Sequence, residues 1–246
     1  MSLPRVLAVD DDEIIQRFVQ MALDTEALEL RQAGSVDEAV ALLRSEGPVD
    51  LILTDLMLPG ASGVDLVRTL RATPALLGSA RIVVLSAGLN SATSQRLEAQ
   101  GVWRQLHKPI AVSELQTAVR AALGMEQSVV LEPDKPRRVT PDTTPEQRAI
   151  DLHFGGDAAL FHAFRTSCAA QFALDVTQGN TLARAGDLPG LRRHAHSLAS
   201  VFATLGEEAA ATQARALQHA CAQGQSSAIA LWPALARVLE HLSQQK

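Results

Sequence analysis

A doubly wound α/β domain followed by an antiparallel helical bundle is the architecture this sequence predicts, on three observations. Short β-rich apolar runs alternate with helical periodicity through the first half of the chain. The stretch 125–145 carries Pro133, Pro136, Pro141 and Pro145 with little apolar pattern after Leu131, and beyond it only long Ala- and Leu-rich segments remain. Alternating strands and helices argue a parallel sheet covered on both faces, whereas strand-free segments punctuated by glycine argue a bundle. The expected boundaries are therefore 1–124, a linker over 125–145, and 146–246. A chain of 246 residues is long enough for two such domains, each with its own core.

In order along the first half, strands are expected at 6–9, 28–33 (the weakest), 51–53, 82–85 and 102–106, with helices at 13–23 and 36–43 among those that separate them. This makes five β-α units in a small doubly wound sheet, whose ligand site belongs at the carboxyl ends of the strands near the switch point. In the second half, Gly155-Gly156, Gly179, Gly186-Asp187, Gly206 and Gly224 punctuate the helices. Pro233 either begins the last helix or kinks it.

Composition removes several function classes. Hydrophobic residues at 47% and charged residues at 20% exclude a chain disordered throughout. Lys plus Arg is 22 against 27 for Asp plus Glu, so the net charge of −5 offers no global positive field to nucleic acid or an anionic membrane. Cys168 and Cys221 have no Cys-x-x-Cys spacing, which points to buried small apolar residues in a reducing compartment rather than disulfides or a thiolate zinc site. No run approaches a membrane span, and Met1 leads into a strand-like segment rather than a secretory leader, so a cytoplasmic protein is expected.

Chemistry gathers at the expected strand ends. The first strand runs into Asp10-Asp11-Asp12-Glu13 and the third into Asp55, so carboxylates from neighbouring strands converge at one mouth. Like charges that close repel by several kcal/mol at an effective dielectric of about 20 and call for a cation, for which Mg²⁺, a hard oxygen-seeking ion, is suited. Ser86 ends the fourth strand and Lys108-Pro109 follows the fifth. Asp55 as nucleophile, with a hydroxyl and an ammonium for the phosphoryl oxygens, makes a phosphoryl-transfer site. Taken singly the same residues have plainer readings: Asp10 to Asp12 as a helix cap, Asp55 as a turn carboxylate, Lys108 as a surface charge.

The stretches Val6-Leu7-Ala8-Val9-Asp10-Asp11, Asp55-Leu56-Met57-Leu58-Pro59-Gly60-Ala61-Ser62-Gly63, Ser86-Ala87 and Lys108-Pro109 together resemble the receiver domain of bacterial response regulators. The resemblance implies a flavodoxin-like sheet of order 2-1-3-4-5, with Asp55 as phosphoacceptor. It implies Mg²⁺ held by Asp10, Asp11, Asp55 and the Met57 carbonyl, Asp11 being the direct ligand of the leading pair, and phosphoryl contacts from Ser86 and Lys108. One departure is Gln105, where the family usually has an aromatic residue that rotates on activation; Trp103 lies two residues earlier. The haloacid dehalogenase-like phosphatases, a rival use of an aspartyl nucleophile, need a second Asp where this chain has Met57.

In the second half, apolar positions 188, 191, 195, 198, 202 and 205 mark one helical stripe. At 3.6 residues per turn His196 lies about 130° from its centre and His194 about 70°. His196 is thus expected to face water and His194 to flank the core, and because the two diverge by about 200° they cannot share one metal. Leu152-His153-Phe154-Gly155-Gly156-Asp157, Ala185-Gly186-Asp187-Leu188, and His196-Ser197-Leu198 followed by Gly206 resemble the histidine-containing phosphotransfer (HPt) domain. The resemblance implies that His196 carries a phosphoryl group and exchanges it with receiver aspartates. A neutral imidazole, with a pKa near 6.5, suits that role. The family's usual lysine and glycine, three and four residues after the histidine, are Ala199 and Ser200 here; the cation is lost unless Arg192 or Arg193, one turn earlier, substitutes, and the small Ser200 is expected to keep access open.

The function these resemblances imply is a phosphorelay protein with Mg²⁺ as cofactor. Its partners would be an upstream histidine kinase or other phosphodonor and further receiver domains, since no Gly-rich phosphate loop or ATP-binding kinase domain is present in the sequence. The receiver would catalyse its own phosphorylation rather than act as a conventional enzyme. A flexible linker of about 20 residues spans near 25 Å and gives an effective concentration in the mM range, so transfer from Asp55 to His196 within one chain is feasible. The alternative is a phosphorylation-switched receiver whose bundle is an inactive output or dimerisation module.

Overall fold

The apolar runs of the first half pair as a five-stranded parallel sheet in the computed structural model, which describes residues 2–87, 91–125 and 144–244. Strands β1 (Arg5–Val9), β2 (Glu29–Ala33), β3 (Leu51–Asp55), β4 (Arg81–Ser86) and β5 (Arg104–His107) lie in the order β2-β1-β3-β4-β5. The strands β3 and β4 are buried on both faces, which is why they read as unbroken apolar runs. Edge strand β2 alternates exposed and half-buried residues up to Ala33, hence its weak signal. The last strand starts at Arg104 rather than at 102: Val102 N–H closes the preceding turn on Leu97 O, and Trp103 N–H makes the first bond to β4, at Ile82 O.

The helices of this unit are α1 (Glu13–Leu23), α2 (Val36–Glu46), α3 (Gly63–Ala72), the short α4 (Pro74–Leu77), α5 (Ser91–Ala99) and α6 (Val112–Leu123). Their starts are written in side chains: Asp12 accepts from the Ile14 and Ile15 amides, and Ser62 with Asp65 forms a reciprocal capping box. One side of the sheet presses Ile52, Ile82 and Val84 against Leu66, Val67 and Leu70, all fully buried. Register sets the level of the strand ends. Val9 pairs with Thr54, Asp55 with Leu85 and Ser86 with His107, so Asp10, Asp55, Ser86 and Lys108 arrive at the same edge of the sheet.

The chain divides into two compact units, Met1–Arg137 and Arg138–Lys246. Most of the expected linker, 126–143, lies outside the described residues, and Pro145 at its end is instead the first residue of a helix capped by Thr144. The second unit comprises α7 (Pro145–His153), α8 (Ala158–Ala185), α9 (Leu188–Leu205), α10 (Glu208–Ala222), a 3₁₀ turn (Ser226–Leu231) and α11 (Trp232–Ser243). Gly186 and Gly206 end α8 and α9 in the left-handed conformation, which turns each helix back on its predecessor within two residues. Pro233 stands in the first turn of α11, so it begins that helix. The interior holds Phe161, Phe164, Phe172, Phe202 and Trp232, with the Phe172 and Phe202 rings 5.8 Å apart. Both cysteines are buried, and neither is in a disulfide.

The expectation that His196 faces water is corrected: it is only 3% exposed. From His194 to Leu205 every residue except Ser197 is buried, Ser200 included, so the small side chain at that position does not leave an open approach. The stripe treats α9 as a surface helix with one inner face. In the bundle α9 packs against α7, α8 and α10 together, so the face opposite the stripe is covered as well.

Candidate functional site

Lys108 joins the carboxylates of the first unit. Its Nζ donates to Asp10 Oδ2 at 2.7 Å and Asp55 Oδ2 at 3.0 Å, and all three side chains are at most 5% exposed. Each acid's second oxygen is also held: the Asp12 amide donates to Asp10 Oδ1 (3.1 Å) and the Leu56 amide to Asp55 Oδ1 (2.6 Å). The approach at Asp55 depends on Gly63, where a Cβ would stand 2.0 Å from the Asp55 carbonyl oxygen. Its amide instead donates to Leu56 O at 3.1 Å, folding the loop back beneath the acid.

Electrostatics at this mouth is unbalanced. Burial, with the charges of Asp55 and Asp12 adding to it and Lys108 opposing, raises the Asp10 carboxyl to about 7. Burial likewise raises Asp11 to about 6, with a backbone hydrogen bond opposing and the Asp55 and Asp12 charges adding to the rise. For Lys108 burial disfavours the ammonium, but the Asp10 and Asp55 carboxylates outweigh it and hold the group well above the ordinary lysine range. Asp10 and Asp55 thus share one buried ammonium, while the half-buried Asp11 adds a third carboxyl at the same mouth.

Among the described residues no group of three or more His, Cys, Asp or Glu side chains is gathered as metal ligands; here an ammonium bridges Asp10 and Asp55. The donor set nevertheless fits a hard cation. Asp10, Asp11 and Asp55 would supply carboxylate oxygens, and the carbonyl of the half-buried Met57, two residues after Asp55 in the same loop, would be a further oxygen donor. Ser86 lies buried at the end of β4, one register step from the Lys108 end of β5. Asp12, which the sequence offers equally as an acid of the cluster or a cap, is the α1 cap.

At the family's aromatic position, Gln105 is fastened to α5: Ser94 Oγ donates to its Oε1 (2.8 Å) and its Nε2 donates to Ser94 O (3.2 Å). Trp103 lies instead within cation–π range of two guanidinium groups, those of Arg81 (5.1 Å) and Arg104 (4.7 Å).

The two histidines of α9 engage different neighbours, as their divergence requires. The Nε2 of His194 lies 2.9 Å from the Asp175 carbonyl oxygen, and since a carbonyl only accepts, that nitrogen carries the proton. Burial lowers the pKa of His194, and its ring lies 5.5 Å from that of Trp232. The other histidine, His196, meets α10: its Nδ1 is 3.0 Å from Gln218 Nε2. Ser200 Oγ bonds back to the His196 carbonyl at 3.3 Å, and Ala199 is buried. Gln218 was not singled out by sequence reasoning. Its signal is a polar residue set within the stripe Ala211, Ala214, Leu217, Cys221 of an Ala-rich helix.

Comparison with known proteins divides the chain in the same way. Residues 6–120 match the response regulator receiver domain and 161–245 match the Hpt domain. The virulence sensor protein BvgS of Bordetella bronchiseptica is 30% identical over 234 residues, covering 90% of this chain, and this chain spans 18% of that protein. The KDP operon transcriptional regulatory protein KdpE of Escherichia coli is 32% identical over 155 residues, which is 62% of this chain and 65% of KdpE. Among solved structures, the signal receiver domain of a putative Luxo repressor protein from Vibrio parahaemolyticus is similar over 50% of this chain and 92% of that one, at 23% identity and a TM-score of 0.47.

Proposed function

The chain belongs to the response regulator receiver domains through residues 6–120 and to the Hpt domains through 161–245, the pairing of a two-component phosphorelay protein, and on that premise we propose a specific route for the phosphoryl group. Asp55 accepts it from an external histidine kinase or other phosphodonor, and His196 exchanges it with receiver aspartates. The functional limits we assign are 1–124 for the receiver, 146–246 for the bundle and 125–145 as their tether. The observation that carries this reading is the buried ammonium of Lys108 held by both Asp10 and Asp55 at the carboxyl edge of the sheet.

In the first step an Asp55 oxygen attacks the donor's phosphorus; a P–O bond forms to the carboxylate and the donor's bond to phosphorus breaks. Lys108, already in contact with Asp55, is placed to follow the phosphoryl oxygens, with the Ser86 hydroxyl from the neighbouring strand as a second contact. Bound by Asp10, Asp11, Asp55 and the Met57 carbonyl, Mg²⁺ would neutralise phosphoryl charge. In the second step the lone pair of a neutral His196 nitrogen attacks that phosphorus. An N–P bond forms, the acyl P–O bond breaks, and Asp55 leaves as carboxylate. Gln218 suits the remaining nitrogen, because its amide offers both an acceptor and a donor and so serves either tautomer.

The test is labelling of the full chain with radiolabelled acetyl phosphate in Mg²⁺, then with a phosphorylated receiver. Asp55→Asn should abolish the base-labile acyl phosphate and His196→Gln should leave it intact. Acid-labile, base-stable phosphate should appear at His196 and be absent from His196→Gln. Undiminished acyl phosphate in Asp55→Asn overturns the first assignment; no phosphohistidine with any receiver overturns the second.

A further inference from the structure

We infer that Arg192 is the cation that contacts the phosphoryl group while it resides on His196. The inference rests on the reading of His196 as acceptor. A phosphoryl group on the imidazole brings about two negative charges to a helix seam where the buried residues one turn on, Ala199 and Ser200, carry none to offset them. Ala199 has no polar atom beyond its backbone, and the Ser200 hydroxyl is spent on the His196 carbonyl. A compensating charge must therefore come from the exposed rim of α9 or α10.

Three observations select Arg192. First, it lies four residues before His196, about 40° around the helix, and a helical side chain leans over the turn N-terminal to its own Cα, so the His196 ring overhangs the turn that Arg192 occupies. Second, the two residues face the same stretch of α10. His196 bonds Gln218, and Arg192 acts electrostatically on Cys221, which follows Gln218 by three residues on one side of that helix. Third, Arg192 is exposed and forms no ion pair among the described residues, so its guanidinium is uncommitted. Arg193 is rotated about 60° to the opposite flank of His196 and is half-buried. A guanidinium presents two parallel N–H groups to phosphoryl oxygens, the fork geometry that suits this ligand.

The experiment uses the full chain carrying Asp55→Asn, with phosphoramidate as a small phosphodonor, so that phosphohistidine forms without a docked receiver. Arg192→Gln should slow its formation about tenfold, the effect of losing roughly one charge-assisted contact. Arg192→Lys should return the rate to within about threefold, and Arg193→Gln should remain within about twofold of the parent, with added salt compressing the differences. The thermal midpoint of the bundle should be the same in all three. Three results overturn the inference while leaving His196 as acceptor: Arg192→Gln labelled at the parent rate, Arg192→Lys as slow as Arg192→Gln, or a larger loss in Arg215→Gln on α10. No phosphohistidine in the parent overturns both this inference and the reading it rests on.

Discussion

Lys108 is the residue on which the receiver's charge balance turns, and the acids around it carry a measurable cost. A carboxyl whose pKa is raised by folding binds its proton more tightly in the folded state, so stability falls as pH rises from its unfolded value through its folded one. For Asp11 that window runs from the ordinary 3.8 to about 6, and for Asp10 from 3.8 to about 7. Asp11→Asn should therefore stabilise the metal-free receiver at pH 8 by about 1–2 kcal/mol, and the gain should shrink toward pH 5; urea midpoints at the two pH values measure it. A variant no more stable than the parent at pH 8 would mean that Asp11 is well solvated. These acids and the lysine were legible in the sequence because each directly follows an apolar run, and strand ends in such a sheet converge. Gln218 was not, since nothing in an isolated α10 pattern says which residue of another helix it will meet.

At the scale of elements, what was legible depended on how many sides an element shows to its neighbours. Strands β3 and β4, buried on both faces, and helix α1, with its Asp12 cap, read directly. The helix α9 did not: its stripe is real, with Leu198 buried, yet the opposite face is covered too, and one-sided periodicity cannot report a second covering layer. Leu198→Ala should still cost about 2–5 kcal/mol in the bundle's unfolding free energy, and an unchanged denaturant midpoint would show that the stripe is not core. Gly63 at the start of α3 is the corresponding test in the receiver. In Gly63→Ala a methyl group would stand 2.0 Å from the Asp55 carbonyl oxygen, so the loop under the phosphoacceptor must shift. The expected result is a loss of about 1–3 kcal/mol together with slower acyl-phosphate formation. Loss of stability with unaltered phosphorylation would separate packing from the site. On the same side of the sheet, the paired hydrogen bonds of Gln105 with Ser94 fix α5 to β5 where an aromatic would rotate. Gln105→Ala should raise amide exchange across 91–99 well above the parent.

For the whole molecule, two units of different class invite the question of which responds to what, and the chain supplies its own probes: its two tryptophans, Trp103 and Trp232, fall one in each unit. If Mg²⁺ is held by Asp10, Asp11 and Asp55 as proposed, added Mg²⁺ should stabilise the transition reported by Trp103 in a Trp232→Phe background, by about 2.7 kcal/mol at a hundredfold excess over Kd. The physical source is the same imbalance described for the acids. A divalent ion relieves repulsion that one ammonium only partly offsets, so binding should also weaken as pH falls through 7 and 6, where Asp10 and Asp11 take up protons. Asp10→Asn with Asp11→Asn should remove the shift while raising metal-free stability, a combination that a nonspecific salt effect would not produce. In Trp103→Phe, where Trp232 reports on the bundle and its Nε1 bonds Asn180 at 2.9 Å, Mg²⁺ should leave the transition unmoved. A Mg²⁺ shift that survives loss of both leading acids would place the ion elsewhere and separate the phosphoacceptor from the acid cluster on which its chemistry rests.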